Sequence, residues 1–407
     1  QEKWDNLPSI KGSLSDGLLK ALDTKPKVEQ KVETTNPEAY EYYLRAKHKY
    51  EKRENTDDTE IAQGLLNKSI ELDANLISAK VLLGLTYRER GDYDKAMGIY
   101  TSALKQAEEL GDMSGIGASL LSIGVVHSDK GDYDKALDYM TRSNKIYNEI
   151  DDKYGIGLSL LSIGIIYKHK GGYEKALDYY SRSLKIDEEL GNIRGIGINL
   201  NNIGTIYKKN GDYDTALKYF LRSLNIHEEI GDKYNIANSF DRLGGVYYET
   251  ADYDIGLEYL TRSLKIRREI DNKYGLMYSL DNLGESYLYQ GDYDKAVVYF
   301  EESLTIGKKI GLGADGLIWT TTYLFLTYKH LGKAYNKTVI QNLIKEAGYI
   351  EYFTYYALYQ LVEDVSYLEA AYNQIQDKAD KMKDKFKAKF LSYPRPKAIV
   401  EEWEKFK

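Results

Sequence analysis

Gly131-Asp132-Tyr133-Asp134-Lys135-Ala136 decides how this chain is read, because the phrase returns every 40 residues. It stands at 91–96, at 171–176 as GGYEKA, at 211–216 as GDYDTA, at 251–256 as ADYDIG and at 291–296. Seven residues before each copy lies a glycine that follows an apolar residue: Gly84, Gly124, Gly164, Gly204, Gly244 and Gly284. Six copies in unbroken register mean stacked supersecondary units rather than one globular core.

Each unit reads as a helical hairpin. In 117–151, Leu120, Ile123, Gly124 and His127 form an i, i+3, i+4, i+7 stripe. Gly131 ends that helix, Asp132 can cap the next, and Asp134 lies in its first turn, where acid meets the positive end of the dipole. Gly124 and Ala136 are small where the two helices would cross. Leu137, Met140 and Ile146 supply the second stripe, and Gly155 and Gly157 are expected to turn the chain into the next unit.

Composition agrees. The five prolines are Pro8, Pro26, Pro37, Pro394 and Pro396, so the stretch 38–393 has none, as a nearly all-helical body requires. Forty tyrosines against eight phenylalanines suit thin layers in which a ring packs and its hydroxyl reaches the wet edge. A net charge of −7 with both signs interspersed gives no field for nucleic acid. There is no long apolar run to span a membrane. The absence of cysteine removes disulfides, thiolate metal sites and thiol nucleophiles.

Four segments follow. Residues 1–35 read as the tail of an upstream element, with a short helix around 13–22, plus a Lys/Glu/Thr-rich linker. Gln1 in place of Met suggests a processed product or a fragment of a longer protein. Asn36-Pro37-Glu38 opens an irregular first hairpin over 36–75, with an Asn cap and proline at the first helical position. Residues 76–311 hold six regular units. Over 312–407 the pattern decays into degenerate and capping helices, as a solenoid end requires.

The hairpins resemble the tetratricopeptide repeat family. The residues that carry the likeness are Leu160, Ile163, Gly164 and Tyr167, the turn Gly171 and Tyr173, then Ala176 and Tyr180. The family's common repeat is about 34 residues; the 40-residue step here is similar to the long-helix variety of Pins-type G-protein modulators and bacterial Rap-type regulators. His127 departs from the usual tyrosine, and Ala251 and Gly256 depart in the fifth unit. The resemblance implies an all-α, right-handed superhelical solenoid of stacked antiparallel hairpins, about nine in number. A second resemblance covers residues 4–50, where WDNLPSIKGSLSDGLLKAL and NPEAYEYYLRAKHKYEKR look like the junction before the repeats in bacterial class III adenylate/guanylate cyclases.

Chemistry is sparse. The Asp-x-Asp pairs (Asp92/Asp94, Asp132/Asp134, Asp292/Asp294) read as helix-start signals rather than an acid–base pair. The Gly-Ile-Gly phrases at 115–117, 155–157 and 195–197 lack the strand and the Gly-Lys-Ser/Thr of a phosphate loop. His48, His127, His169, His227 and His330 fall in different units without ligand spacing. We therefore expect no catalytic residue, no metal and no cofactor. The lysine run 378–389, with Ala379, Met382, Phe386 and Phe390 at helical spacing, reads as a capping helix with a solvated basic face; membrane-surface or nucleic-acid contact is the alternative.

The family resemblance implies a protein or peptide ligand in a concave groove lined by the first helix of each hairpin. Exposed positions there would be Leu121, Val125 and Asp129; Leu161, Ile165 and Lys168; Asn201, Thr205 and Lys208; Asp241, Tyr248 and Glu249; and Asp281, Glu285 and Tyr289. Asn199, Asn201 and Asn202 cost helix propensity, which hydrogen bonds to a peptide backbone would offset. Arg242 and Asn282 continue the row of Asn202. The expected function is a non-enzymatic protein-binding module, the cytoplasmic regulatory or sensing region of a bacterial signalling protein such as a class III cyclase. The alternatives are a stand-alone or envelope-associated scaffold forming homo-oligomers through its ends or edges, and, more remotely, an enzyme with an unrecognised C-terminal site.

Overall fold

A computed structural model describes residues 36–51, 56–270, 272–382 and 384–406. The expected short helix at 13–22 and its linker lie outside these. Twenty helices and no strand occur among the described residues. The first helices are α1 (Pro37–Glu51), α2 (Thr56–Leu72), α3 (Ile77–Glu89), α4 (Tyr93–Leu110), α5 (Met113–Asp129), α6 (Tyr133–Glu149) and α7 (Lys153–His169). Next come α8 (Tyr173–Leu190), α9 (Ile193–Lys209), α10 (Tyr213–Glu229), α11 (Lys233–Glu249), α12 (Tyr253–Glu269), α13 (Lys273–Tyr289) and α14 (Tyr293–Lys309). The rest are α15 (Ala314–His330), α16 (Lys337–Glu346), α17 (Tyr352–Val362), α18 (Val365–Asp380), α19 (Asp384–Ser392) and α20 (Pro394–Glu404). They form two compact units, one ending at Ile186 and one beginning at Asp187.

The repeated phrase does what its chemistry dictates. Asp132, Asp212 and Asp292 each accept a hydrogen bond from the backbone N–H three residues on, starting α6, α10 and α14. Such a cap contributes about 1 kcal/mol. The glycine before each, such as Gly131 at φ +78°, takes the left-handed conformation that closes the preceding helix. Asn36 Oδ1 likewise accepts from the Glu38 and Ala39 N–H groups at 3.1 and 3.2 Å to open α1.

Hairpins close on the small residues foreseen. A Cβ at Gly124 would lie 2.9 Å from Met140, and one at Gly204 or Gly284 would lie 2.8 Å from Phe220 or Phe300. Each glycine therefore admits a large side chain from the second helix of its own hairpin. A polar clasp sits beside it. Ser143, Ser183 and Ser223 donate to the carbonyls of Gly117, Gly157 and Gly197 at 2.7–2.8 Å, so that each buried hydroxyl is paired.

The tyrosines form a ladder. Tyr167 stacks on Tyr179, Tyr207 on Tyr219 and Tyr287 on Tyr299, with centroids 5.4–5.5 Å apart and planes within 10°. His127 fills the same place on Tyr139 at 5.5 Å, so this departure from the pattern preserves the contact.

One expectation is corrected. Gly155 and Gly157 are not a turn between hairpins; they lie inside α7, as Gly115 and Gly117 lie inside α5 and Gly195 and Gly197 inside α9. Asp112, Asp152 and Asn192 cap these helices earlier. The glycines make room instead: a Cβ at Gly117 would come within 2.9 Å of the Tyr147 ring, and one at Gly197 within 2.6 Å of His227.

Candidate partner-binding groove

In the first unit the apolar groove positions are more covered than expected. Leu121 is buried in a cluster with Ala136, Met140, Ile163 and Ile166, and Val125 packs on its edge. Leu161 and Ile165 are half-buried. Leu121 and Val125 are thus used in joining one hairpin to the next, while Leu161 and Ile165 keep part of their surface open.

The second unit shows the same effect in polar form. Asn201, Asp241 and Asp281 were expected on an exposed wall, but all three are buried. They stand where neighbouring helices meet. Asp241 accepts from Arg267 Nη2 at 2.6 Å and Nε at 3.1 Å, and from the Ser279 hydroxyl at 2.8 Å. Asp281 accepts from the Thr320 hydroxyl at 2.8 and 2.9 Å. Burial pushes the Asp281 carboxyl up to about 7, against the pull of Ser303 and Thr320 and with Glu285 adding to the rise. Asn199 is committed too, donating to Asp187 at 2.8 Å. Its place on a helix is offset by that internal bond, not by a peptide.

Asn202, Arg242 and Asn282 are half-buried and mark the accessible row. The amides turn back along their own helices: Asn202 Nδ2 donates to the Ile198 carbonyl at 3.1 Å, and Asn282 Nδ2 to that of Tyr278 at 2.7 Å. Each Oδ1 remains the acceptor that a ligand N–H would meet. Arg242 Nε is buried and has no partner among the described residues.

The far end of this face is charged and covered. Gly245 leaves room for the Lys208 ammonium, which lies 3.1 Å from where a Cβ would stand. Burial lowers Lys208 to about 8, with Glu249 opposing the fall and Arg242, Lys209 and Lys378 adding to it. Lys378 of α18 is likewise lowered to about 8 by burial. Burial pushes the Glu249 carboxyl up, but Arg395, Lys208, Lys378 and Lys209 outweigh that and hold it below its ordinary range.

The cover is the chain's own C-terminal segment. Arg395, in the first turn of α20, donates to Glu285 at 2.8 Å and lies over the rings of Tyr248 at 4.9 Å, Phe353 at 5.2 Å and Tyr289 at 5.8 Å. Tyr393 tilts against Tyr213 with centroids 4.6 Å apart, and Lys389 reaches Asp214 at 2.8 Å. Met382 and Phe390 close over Gly211, where a Cβ would lie 3.4–3.5 Å from them. Phe390, Ile375, Leu368 and Ile399 share one core with Phe220 and Phe240 of the hairpins.

The reading of 378–389 as a solvated basic face fails at Lys378 and holds for Lys381, Lys387 and Lys389, whose side chains stay open. Lys378 is turned over the Tyr352 and Phe390 rings, and Lys389 is paired with a repeat. Lys381 and Lys387 do face outward, joined to Asp377 and Asp380. Sequence reasoning missed Arg395 altogether. Its one local signal is that a cation in a helix's first turn opposes the dipole, so something else must hold it there.

Among the described residues, no group of three or more His, Asp or Glu side chains could hold a metal ion. No helix is long and apolar enough to cross a membrane.

Stacked helical hairpins of this kind define a repeat protein suited to contact with other chains. Residues 75–149, 115–189, 195–269 and 235–309 match the tetratricopeptide repeat model, more than half of the 407 residues, and the chain belongs to that family. No curated protein sequence matches it. Among solved structures, a Rap protein complexed with Competence and Sporulation Factor is 15% identical, with a TM-score of 0.59 over 91% of this chain and 98% of that one. A signal transduction ATPase with numerous domains and a tetratricopeptide repeat sensor, from Pyrococcus horikoshii, is 16% identical, with a TM-score of 0.54 over 87% of this chain and 55% of its own. BtubC from P. vanneervenii is 22% identical over 54% of this chain and 93% of its own, with a TM-score of 0.46. At these identities the likeness is one of fold.

Proposed function

We propose that this chain is a non-enzymatic protein-binding module that takes a peptide or partner segment on the side formed by the first helices of its hairpins. The observation that carries this reading lies in the second unit, where that side already holds polypeptide: α20 is seated on α11 and α13 through Arg395. A wall that offers a carboxylate, tyrosine rings and amide oxygens suits extended chain, which brings N–H donors and cationic side chains. The accessible contacts are Asn202, Arg242 and Asn282; Lys208, beyond them, lies at the covered end.

The wider setting is the regulatory or sensing part of a bacterial signalling protein, such as a class III nucleotide cyclase. The likeness of residues 4–50 to a cyclase junction supports it. So does the company of the fold, since similar structures include a Rap protein with a bound factor and an ATPase with a repeat sensor.

The test is capture from the native host's lysate by the full chain and by an Asn202→Ala/Arg242→Ala/Asn282→Ala variant. Asn201 is left intact because its side chain is buried between helices. The parent is expected to retain a partner that the variant loses. Equal capture by both, or capture of the chain itself alone, would reject the groove and favour a self-assembling scaffold.

A further inference from the structure

The pocket around Arg395 is built for one chemical group. Glu285 and Tyr289 stand one turn apart on α13, Tyr248 comes from α11 and Phe353 from α17. Together they surround the guanidinium with a buried carboxylate and three aromatic rings within 4.9–5.8 Å. Burial pushes the Glu285 carboxyl up, and Glu249 adds to the rise, against the pull of Arg395 and of the Tyr323 and Tyr248 hydroxyls. A guanidinium fits such a cradle, since it bonds a carboxylate through its edge while stacking through its face. An ammonium has no face to stack.

The occupant is placed for the pocket and not for its own helix. Arg395 lies between Pro394 and Pro396 at the start of α20, where the helix dipole disfavours a positive charge. Next to the pocket, docking brings Lys378 into the neighbourhood of Lys208 with Glu249 facing both. The cover is held by Arg395 on Glu285 and by Ile399 in the shared core.

We propose that Glu285, Tyr248, Tyr289 and Phe353 form an arginine-reading subsite that Arg395 occupies in cis. A partner presenting an exposed arginine then enters this part of the wall only by displacing α20. This rests on the protein-binding reading above and adds its specificity and its block. Because the competitor is tethered, its effective concentration is high, and a free arginine displaces it only in large excess.

The experiment uses the full chain carrying Arg395→Ala, titrated with ethylguanidinium and with ethylammonium and followed by the tyrosine NMR signals. The variant is expected to bind ethylguanidinium at least about tenfold more tightly than ethylammonium, whereas the parent shows no such site. Adding Glu285→Gln should abolish the preference. Binding of neither cation, or of both alike, would overturn the proposal. Should Arg395→Ala not reach the parent's helicity, the parent itself is digested at Glu401 and Glu402 with a glutamate-specific protease. Acetyl-Pro-Arg-Pro-amide is expected to speed cleavage several-fold and the lysine analogue not to; unchanged rates with both would overturn it. These readouts need no natural partner, so their failure is separate from a failed capture.

Discussion

Arg395 Nη2 donates to Glu285 Oε1 at 2.8 Å, joining residues 110 positions apart, and both side chains are more than nine-tenths buried. Two charges taken out of water stabilise a fold only while each has the other. Glu285→Leu or Arg395→Met alone is expected to cost about 3–5 kcal/mol, because each strands a buried charge. The double variant should recover most of that loss, as an apolar pair replaces an ionic one. A double-mutant cycle from urea unfolding checks this; additive losses would mean that the pair is not coupled.

Asp281 gives a pH dependence of the opposite sense to most carboxylates. Its acid group is raised from 3.8 to about 7 by burial, so the folded state holds a proton that the unfolded state has released. The folded state binds more protons between those values, and stability falls as pH rises from about 4 to about 7. Asp281→Asn, which keeps an acceptor for Thr320, is expected to be neutral at pH 4 and to stabilise by about 2 kcal/mol at pH 8. Unfolding midpoints at the two pH values decide it.

Lys208 works through the same linkage on the basic side. Its folded value of about 8, against 10.5, means that burial of the charged form opposes folding below pH 8. That opposition fades as pH rises from about 8 to 10.5, where the unfolded state still binds the proton. Lys208→Met should therefore stabilise by about 1–2 kcal/mol at pH 7 and by little near pH 11. An unchanged or lower midpoint at pH 7 would show the ammonium to be well solvated.

Ala251 holds φ +68° where each of the other five copies of the phrase places a glycine at φ +74 to +81°. The left-handed conformation costs an L-residue with a side chain about 1–2 kcal/mol, part of which glycine returns through its greater unfolded-state entropy. Ala251→Gly is expected to stabilise the hairpin of α11 and α12 by about 0.5–1 kcal/mol. Amide exchange in those two helices is the direct readout.

Much of the hairpin was legible from residues alone. Period, caps and glycine positions are local properties, and Asp132, Gly131 and Gly124 behave as their neighbours require. The Gly-Ile-Gly phrases misled because glycine serves both turns and close helix contacts. Only the ring of Tyr147 over Gly117 tells the two apart. For the groove, spacing identified the helix face but not its angular edge. Asp241 and Asn202 are one residue apart in their repeats, yet Asp241 points into the helix junction and Asn202 remains accessible.

The sequence by itself determined the repeat, the hairpin and the family, since each depends on interactions within about 40 residues that recur in register. Only the tertiary structure decided what lies on the inner face of the second unit. Seating α18, α19 and α20 there depends on pairs such as Arg395 with Glu285 and Lys389 with Asp214, 110 and 175 residues apart. No periodicity encodes such pairs. They form because the apolar side chains of α18–α20 have no other core to join and because a buried glutamate requires a cation.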